Sequence, residues 1–549
     1  MYKLFLAVRY LRKRRIAYFA IAAVMLCTAM VLIVMSVMGG FLDQLKVKAR
    51  GLLGDIIVYN HSWGGFPLYE EFSAYIATWP EVRKATPVIY SYGLLRVVET
   101  SQTNTVRVVG LRLEDVYEVN AFKRSLYYER HYPGTTTLAP QQQPRIGYDP
   151  NAEFIEWRDE TGQTMMRGPL PLLPPAFQRA LEQRWAAGEH TDDAVETELT
   201  RTLRALNRVP IFGQFAIVEQ PGPPALTGEP QPGLIIGRDI IAAREADGRY
   251  WRPWNVPRGC LLTVTLIPAT ESGTLDMPVK QPFRYADDSR TGIYEIDSQH
   301  VYCDFELLQK LLHMDAAERI DPDTGKVVGT IRPRCSQIQL KLSDGVDPYK
   351  LTPRLQELYQ GYRDDPRFGG TLTVGDFQAL QNVKALTWEQ SQAHIIGPVE
   401  KERQLVSSLF GIISLVAAVL VLCILYMIVL QKTRDIGIVK SIGGSPIGVA
   451  LIFLGYGSAI GLVGSVLGTV LGCYFVTYIN EIQDFLRYLN PAWQVWDRAV
   501  YSFDEIPNTV RTLDALVVVV VAILASTFGA LLAALRAGFM QPVEALRYE

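Results

Sequence analysis

Four long apolar stretches interrupt an otherwise mixed pattern of hydrophobic and polar residues. They cover residues 16–38, 405–430, 449–476 and 515–535, and none contains a charged side chain. A bilayer core about 30 Å thick needs roughly 20 apolar helical residues, and a backbone in lipid must satisfy its own hydrogen bonds. The pattern therefore predicts four transmembrane helices rather than the buried helices of a soluble protein.

The long segment between the first two stretches, residues 39–404, has a different pattern. Short runs typical of β-strands alternate with turns, as at 55–59, 88–90 and 105–109, and helices are expected over 305–314 and 349–362. Residues 116–208 are rich in Pro, Gln and Arg, and helices are expected near 175–185 and 191–206, so we interpret them as an insertion. The expected fold class is a transmembrane bundle of four α-helices with a large two-lobed α+β domain between helices 1 and 2.

Charge at the start of the chain predicts its orientation. Six basic residues and no acid precede the first stretch, namely Lys3, Arg9, Arg12, Lys13, Arg14 and Arg15. The positive-inside rule places residues 1–15 in the cytoplasm, so four crossings return the tail, residues 536–549, to the same side. Residues 39–404 and the loop 477–514 then lie outside the cytoplasm, and 431–448 lie inside. Trp493, Trp496 and Tyr501 in the outer loop suit a membrane interface.

The first stretch is longer than the apolar core of a signal peptide, which has about 7–15 residues. We therefore expect an uncleaved membrane anchor.

Three of the six cysteines, Cys260, Cys303 and Cys335, lie in the polar middle without a CxxC spacing. Either two of them pair or all three are free thiols. The six scattered histidines and the net charge of −2 give no case for a metal site or for nucleic-acid binding.

Motifs for catalysis are absent from these 549 residues. Gly325-Lys326 is followed by Val327 and lacks the upstream glycine of a phosphate-binding loop. No acidic or basic side chain lies within a span, where a proton or ion relay would need one. We therefore expect no catalytic, cofactor-binding or metal-binding residues, and a transporter built on this chain would take its energy from a partner.

The third stretch carries glycines on one helical face. They recur every three or four residues: Gly457, Gly461, Gly464, Gly468 and Gly472. Small residues let helix backbones approach closely in lipid. Two interpretations remain open, which are packing within this chain and packing against a partner subunit.

Several local motifs resemble those of a known transporter family. The first helix ends Ser36-Val37-Met38-Gly39-Gly40-Phe41, which is similar to S-V-M-N-G-F with Gly39 in place of Asn. Arg290-Thr291-Gly292-Ile293-Tyr294-Glu295-Ile296-Asp297 resembles a T-G-x-Y-E-x-D strand, and 432–443 resembles K-x-R-E-I-A-I-L-R-T-L-G with Asp435 for Glu. The tail 542–549 is similar to that family's ending. Together with one span, a large domain and three spans, these motifs resemble MacB/FtsX-like ABC permeases, and within them the lipoprotein-releasing permeases of LolC/LolE type.

The resemblance implies a transport subunit in a bacterial inner membrane, without a nucleotide site of its own. A cytoplasmic ATPase dimer would bind and hydrolyse ATP, and two permease chains, identical or paralogous, would pair. The expected cargo is a lipoprotein, passed towards a periplasmic carrier and the outer membrane. The alternatives are a MacB-like exporter of small amphiphiles or peptides and an FtsX-like signalling subunit that controls a cell-wall hydrolase. The resemblance does not extend over residues 116–208.

The loop between the second and third spans is the expected coupling element. Residues 432–446 are predicted to form a short cytoplasmic helix that docks on the ATPase, ended by Gly443 and the residues after it. Its polar contacts would come from Lys432, Arg434, Asp435 and Lys440, and its apolar stripe from Ile436, Val439 and Ile442. An amphipathic connector resting on lipid headgroups is the alternative.

Overall fold

The protein forms two compact units in a computed structural model. The model describes residues 15–60, 64–97, 103–126, 154–158, 164–169, 211–218, 226–244, 250–252, 261–268, 276–320, 327–363, 374–490, 493, 496 and 506–541. One unit, here the membrane unit, comprises residues 1–45, 394–496 and 505–549. The other, here the interspan domain, comprises 46–393 and 497–504. The basic residues 3–14, the expected helices at 175–185 and 191–206, Cys260, Tyr501 and the tail 542–549 lie outside the described residues.

The α-helices of the described residues belong to both units. In chain order they are α1 (Arg15–Leu53), α2 (Tyr69–Ile76), α3 (Leu113–Val119), α4 (Arg238–Ile241), α5 (Tyr294–Asp297), α6 (Phe305–Leu311), α7 (Pro348–Arg363), α8 (Val374–Gln381), α9 (Trp388–Ser391), α10 (Ala393–Gln431), α11 (Thr433–Ser441), α12 (Pro446–Thr477), α13 (Ile479–Leu489) and α14 (Thr512–Phe539).

The strands found among the described residues lie in the interspan domain. They are β1 (Ile56–Tyr59), β2 (Val82–Val97), β3 (Thr103–Leu111), β4 (Phe154–Arg158), β5 (Thr164–Pro169), β6 (Phe215–Val218), β7 (Leu226–Gln231), β8 (Gly233–Gly237), β9 (Ala243–Arg244), β10 (Tyr250–Arg252), β11 (Leu261–Leu266), β12 (Val279–Ser289), β13 (His300–Asp304), β14 (Ala317–Ile320), β15 (Val327–Ile331), β16 (Gln337–Leu342) and β17 (Lys384–Thr387).

Among the described residues, four helices are long and apolar enough to cross a membrane, namely α1, α10, α12 and α14. Their shared core contains Val24 of α1, Leu425 of α10, Ile460 of α12 and Ala530 of α14, all buried. Two of the helices extend more than ten residues beyond their apolar stretches. Helix α1 continues to Leu53, and α10 begins at Ala393. The flanking turns are polar, so hydropathy marks the apolar part of each helix and not its ends.

A nine-stranded mixed sheet organises the interspan domain, in the order β11-β12-β8-β13-β3-β2-β16-β1-β17. Side chains of successive strand residues point to opposite faces, and both faces are buried. Ile236 of β8 and Val301 of β13 lie in the core that also contains α2, α6 and α7. The adjacent Ile235 and Tyr302 lie in the core that contains α3. The domain is therefore layered, and it forms one compact unit rather than two separate lobes.

The segment expected to be a T-G-x-Y-E-x-D strand is a turn followed by the short helix α5. The Asp297 carboxylate accepts hydrogen bonds from the backbone N–H and hydroxyl of Thr291, at 2.7 and 2.8 Å, and from the N–H of Gly292, at 2.8 Å. These bonds close the chain into a loop and so prevent strand pairing. Burial raises the pKa of Asp297 even though these donors favour its charged form.

Part of the expected insertion forms strands, at positions where the sequence analysis predicts no element. β4 and β5 pair with each other, and β4 pairs with β10, within a four-stranded sheet.

Cys303 and Cys335 are buried free thiols, and burial raises the pKa of both. Burial and the nearby Arg107 guanidinium together lower the pKa of His300 to about 4. The described residues contain no group of three His, Cys, Asp or Glu side chains arranged to hold a metal ion.

Candidate functional site

The connection between α10 and α12 is a tight helical turn. Its helix, α11, ends at Ile442 with Gly443 in a left-handed conformation, φ +98°. The N–H groups of Gly443 and Gly444 donate to the carbonyls of Lys440 and Val439, each at 3.0 Å, which is the Schellman pattern of helix termination. Ser445 then caps α12 by accepting a hydrogen bond from the Gly448 N–H. Glycine and serine thus turn the chain within a few residues.

The apolar side chains of α11 divide between two directions. Ile436 is buried in the core of the membrane unit, so it is not available to a partner as the stripe of Ile436, Val439 and Ile442 would require. Val439 and Ile442 are exposed, together with Ile438 and with Ile447 at the start of α12. Ile442 is 82% exposed. The apolar surface open to a partner therefore comprises Ile438, Val439, Ile442 and Ile447, and we call it the α11 edge.

The polar residues predicted for coupling have different positions. Lys440 donates from Nζ to the carbonyls of Gly538 at 2.5 Å and Met540 at 2.7 Å, so it satisfies the C-terminal end of α14. Lys432 pairs with Asp435 on the surface, and Arg434 is exposed. Lys440 thus holds α11 against the last span. Arg434 and Asp435 are exposed one turn before Ile438 and Val439 of the α11 edge.

The glycine face of α12 contacts two other helices of the same chain. A Cβ placed on Gly457 would lie 2.2 Å from the Cβ of Ala530 in α14, and one on Gly461 would lie 2.9 Å from the Cβ of Ser526. These separations are shorter than any normal contact. The first half of the face therefore lies directly against α14.

The second half of the glycine face lies against α1. A Cβ on Gly464 would lie 2.8 Å from the Cβ of Val24, and one on Gly468 would lie 2.5 Å from the carbonyl oxygen of Met25. A Cβ on Gly472 would lie 3.1 Å from Leu32. The arrangement fits packing within this chain, the first of the two interpretations left open by the sequence.

A buried carboxylate, not singled out from the sequence, joins the ends of three elements of the interspan domain. Asp55 follows α1 after Gly54, whose φ is +74°. Its side chain is 2% exposed; it accepts hydrogen bonds from Arg50 at 2.7 and 2.9 Å and from the Leu342 N–H at 3.0 Å, and it pairs with Lys341. Burial raises the pKa of Asp55, but the Leu342 amide, Arg50 and Lys341 outweigh this and hold it below its usual value.

The chain leaves α1 and returns towards α10 at this carboxylate. β1 pairs with β17, with Ile56 opposite Thr387, and the Trp388 N–H donates to the Asp55 carbonyl at 3.2 Å. The next residue of α9, Glu389, pairs with Lys46 of α1 at 3.3 Å and accepts a hydrogen bond from the Tyr349 hydroxyl. The available sequence signal was a glycine at a helix end followed by an acid. Of the partners of Asp55, only Arg50 is nearby in the sequence, whereas Lys341 and Leu342 are more than 280 residues away.

The membrane unit contains a cavity of about 200 Å³ between α1, α10 and α14. Its wall is mostly apolar, with Val24, Val31, Phe410 and Val518 among the lining residues. Thr28, Ser407, Ser414 and Ser526 also line it, and the cavity carries no charged side chain. Such a space suits a hydrocarbon chain rather than an ion.

Comparison with known families gives a match over the last three spans. Residues 407–542 match the FtsX-like permease C-terminal family. This segment contains α11 and the glycine face.

Curated relatives extend the similarity beyond that segment. The chain is 25% identical over 319 residues to the lipoprotein-releasing system transmembrane protein LolC of Xylella fastidiosa, an alignment that covers 58% of this chain and 65% of that relative. It is 28% identical over 196 residues to the LolE protein of Haemophilus influenzae, covering 33% and 44%. Among solved structures, the periplasmic region of MacB from Actinobacillus actinomycetemcomitans matches at 11% identity with a TM-score of 0.23, covering 63% of this chain and 94% of that one.

Proposed function

We propose that this chain, whose last three spans match the FtsX-like permeases, is a permease subunit of an ATP-driven ABC transporter that releases lipoproteins from a bacterial inner membrane. The α11 edge is the observation that carries this proposal. It exposes Ile438, Val439, Ile442 and Ile447 on a connection between two spans, where an apolar surface fits a protein groove. The permease match covers the same residues.

Energy for transport comes from a partner in this proposal. The 549 residues contain no phosphate-binding loop, so a dimer of a cytoplasmic ATPase binds ATP and contacts the α11 edge. Lys440 fastens α11 to the end of α14, so a displacement of α11 is passed to that span. A second permease chain, identical or paralogous, completes the complex.

The cargo follows from the relatives and from the cavity. The LolC and LolE relatives are named for lipoprotein release. The cavity between α1, α10 and α14 is apolar and uncharged, which suits an acyl chain because each buried CH₂ contributes about 0.8 kcal/mol. We infer that a lipoprotein leaves the outer leaflet of the inner membrane through this unit towards a periplasmic carrier.

Both termini and α11 are cytoplasmic in this proposal, and the interspan domain is periplasmic. Cysteines placed at Glu357, which is exposed in the interspan domain, and at Ser441, which is exposed on α11, test this in a background without native cysteines. An impermeant thiol reagent added to intact spheroplasts should label the Glu357 position, and it should label the Ser441 position only after lysis. The reverse result would contradict the orientation.

Cargo release by the purified complex tests the function. We expect the complex, isolated from native membranes with its bound ATPase, to release bound lipoprotein when ATP is added. Val439→Glu places a charge on the α11 edge and should reduce release at least tenfold, through loss of the ATPase or through ATP turnover without release. Ser441→Glu adds the same charge to α11 two residues after Val439, which is roughly the opposite side of the helix, and should leave release within twofold of wild type.

The two parts of the proposal fail separately. Release of a peptide or small amphiphile instead of lipoprotein would contradict the cargo and favour the exporter alternative. Copurification of a cell-wall hydrolase, with no cargo, would favour the signalling alternative. Wild-type release by Val439→Glu would leave the cargo intact and exclude the α11 edge as the coupling surface.

A further inference from the structure

The helix after α12 has two chemically different sides. A single residue, Tyr478, separates α12 from α13. It is the C-cap of α12 and the N-cap of α13. Apolar residues recur along it as Ile479, Ile482, Phe485, Leu486 and Leu489. Asn480, Gln483 and Arg487 lie on the other side of the helix. This spacing is that of an amphipathic helix.

The polar side of α13 is occupied by the segment that returns to α14. Buried Gln483 donates to the Trp496 carbonyl at 3.1 Å and accepts from the Trp496 N–H at 2.9 Å. Asn480 pairs in the same way with Ile506, at 3.2 and 2.8 Å. The two amides therefore act as substitute peptide groups that hold the returning chain.

The returning chain is in turn held against α1. The Trp496 ring lies edge-on to Phe41, with centroids 6.1 Å apart, and Arg511 pairs with Asp43. These contacts fix the position and orientation of α13 within the membrane unit.

The side of α13 that carries Phe485 and Leu489 is left uncovered by the described residues, and so is the adjoining flank that carries Glu481, Asp484 and Tyr488. Phe485 is 62% exposed, Tyr488 86% and Leu489 56%. The last turn of α12 exposes Tyr474 and Phe475 as well, and the Tyr474 ring contacts that of Tyr478, with centroids 4.9 Å apart. Exposed aromatic side chains are therefore present on the last turn of α12, at the junction and on α13.

We propose that α13 lies in the boundary of the bilayer, at the end of α12 that leads into it, with Phe485 and Leu489 inserted among the lipids and Tyr488 at the level of the headgroups. With 32 residues, α12 is about 48 Å long. It therefore outreaches a hydrocarbon core of about 30 Å, and its end lies among the headgroups. Tyrosine and tryptophan favour that layer, and amphipathic helices bury their apolar side about 5–10 Å into it.

Apolar area, not charge, drives this contact. α13 carries Glu481 and Asp484 against Arg487, so it has no net attraction to anionic headgroups. A neutral phospholipid is therefore a sufficient partner. In this position α13 sets the depth of the ends of α12 and α14 relative to the bilayer surface.

Fluorescence quenching by lipid tests the proposal on the full chain with its copurifying subunits. Single cysteines at Phe485, Leu489 or Asp484 carry a bimane label, and the protein is placed in nanodiscs of phosphatidylcholine with or without bromine on its acyl chains. We expect brominated lipid to quench the labels at 485 and 489 at least twofold more strongly than the label at Asp484, which is exposed on the flank of the helix between its two sides. Equal quenching at the three positions would overturn the proposal.

A photocrosslinker separates lipid from protein as the covering partner without altering native cysteines. Benzoylphenylalanine in place of Phe485, irradiated in native membranes, should form phospholipid adducts detected by mass spectrometry. Adducts with a second copy of the chain or with another protein, in place of lipid, would show that α13 is a protein interface and would overturn the proposal.

Discussion

Leucine at both Gly464 and Gly468 is expected to remove most of the folded protein from the membrane. Each new side chain would start 2.5–2.8 Å from α1, at the Cβ of Val24 and the carbonyl oxygen of Met25. Overpacking a core costs about 1–3 kcal/mol per site, and a backbone carbonyl cannot rotate away as a side chain can. Two such sites take up a large part of a typical stability of about 5–15 kcal/mol. The area of the monodisperse peak in size-exclusion chromatography of a fluorescent fusion measures the loss.

Gly455 supplies the matched control. It lies in the same helix, is exposed, and has no atom within 4 Å of an added Cβ. Gly455→Leu should therefore keep the peak within about 20% of wild type, in line with the small effects of most surface substitutions. If the Gly464 and Gly468 double variant behaves like Gly455→Leu, the contact between α12 and α1 is not a close one.

Removal of the charge of Asp55 is expected to loosen the edge of the sheet where α1 enters and α9 leaves. Asp55→Asn keeps the size of the side chain but loses charge-assisted hydrogen bonds from Arg50 and the Leu342 N–H. Such bonds contribute about 1.5–3 kcal/mol. Amide hydrogen exchange in β1, β16 and β17 should therefore accelerate by roughly 10- to 100-fold.

The exposed ion pair between Glu81 and Arg354 in the same domain is the control. Glu81→Gln should change exchange in β1, β16 and β17 by less than about fivefold, because exposed pairs contribute about 0–1 kcal/mol.

Lower pH should reproduce the loss of stability at this edge in the wild-type protein. The folded pKa of Asp55 is below its usual value, so its contribution is complete above that value and disappears as the pH falls through the folded pKa. Unchanged exchange in Asp55→Asn would show that the carboxylate does not hold this edge.

The membrane helices were predictable because lipid imposes a simple condition on long runs of sequence. Hydropathy located all four apolar stretches, and residues 39–53 and 393–404 were missed as helix because they carry charges outside the apolar core. Periodicity also found strands such as β1, which begins one residue after the predicted 55–59 begins and ends at the same residue. The segment ending in Asp297 was predicted wrongly because three hydrogen bonds to one carboxylate decide its shape, and spacing alone does not reveal them.

The candidate sites divide in the same way. The helix 433–441 and its glycine stop follow from local rules, and so does the alignment of the five glycines on one face. The direction in which each side chain points does not, since Ile436 and Val439 occupy similar positions in the pattern but only Ile436 is buried. The partners of Lys440 lie 98 and 100 residues away, and no single-sequence pattern links them.

The pairing of β1 with β17 makes the interspan domain an insertion whose two ends lie side by side. Its first and last strands are neighbours, with Ile56 opposite Thr387, so the distance between the entry and exit points is one strand spacing, about 5 Å. That distance does not depend on the length or content of the chain between them. Additional sequence in this interval, such as residues 116–208, can therefore be gained, lost or exchanged without altering where the two flanking helices begin. Chimaeras of permeases with this layout are best cut at these two strands.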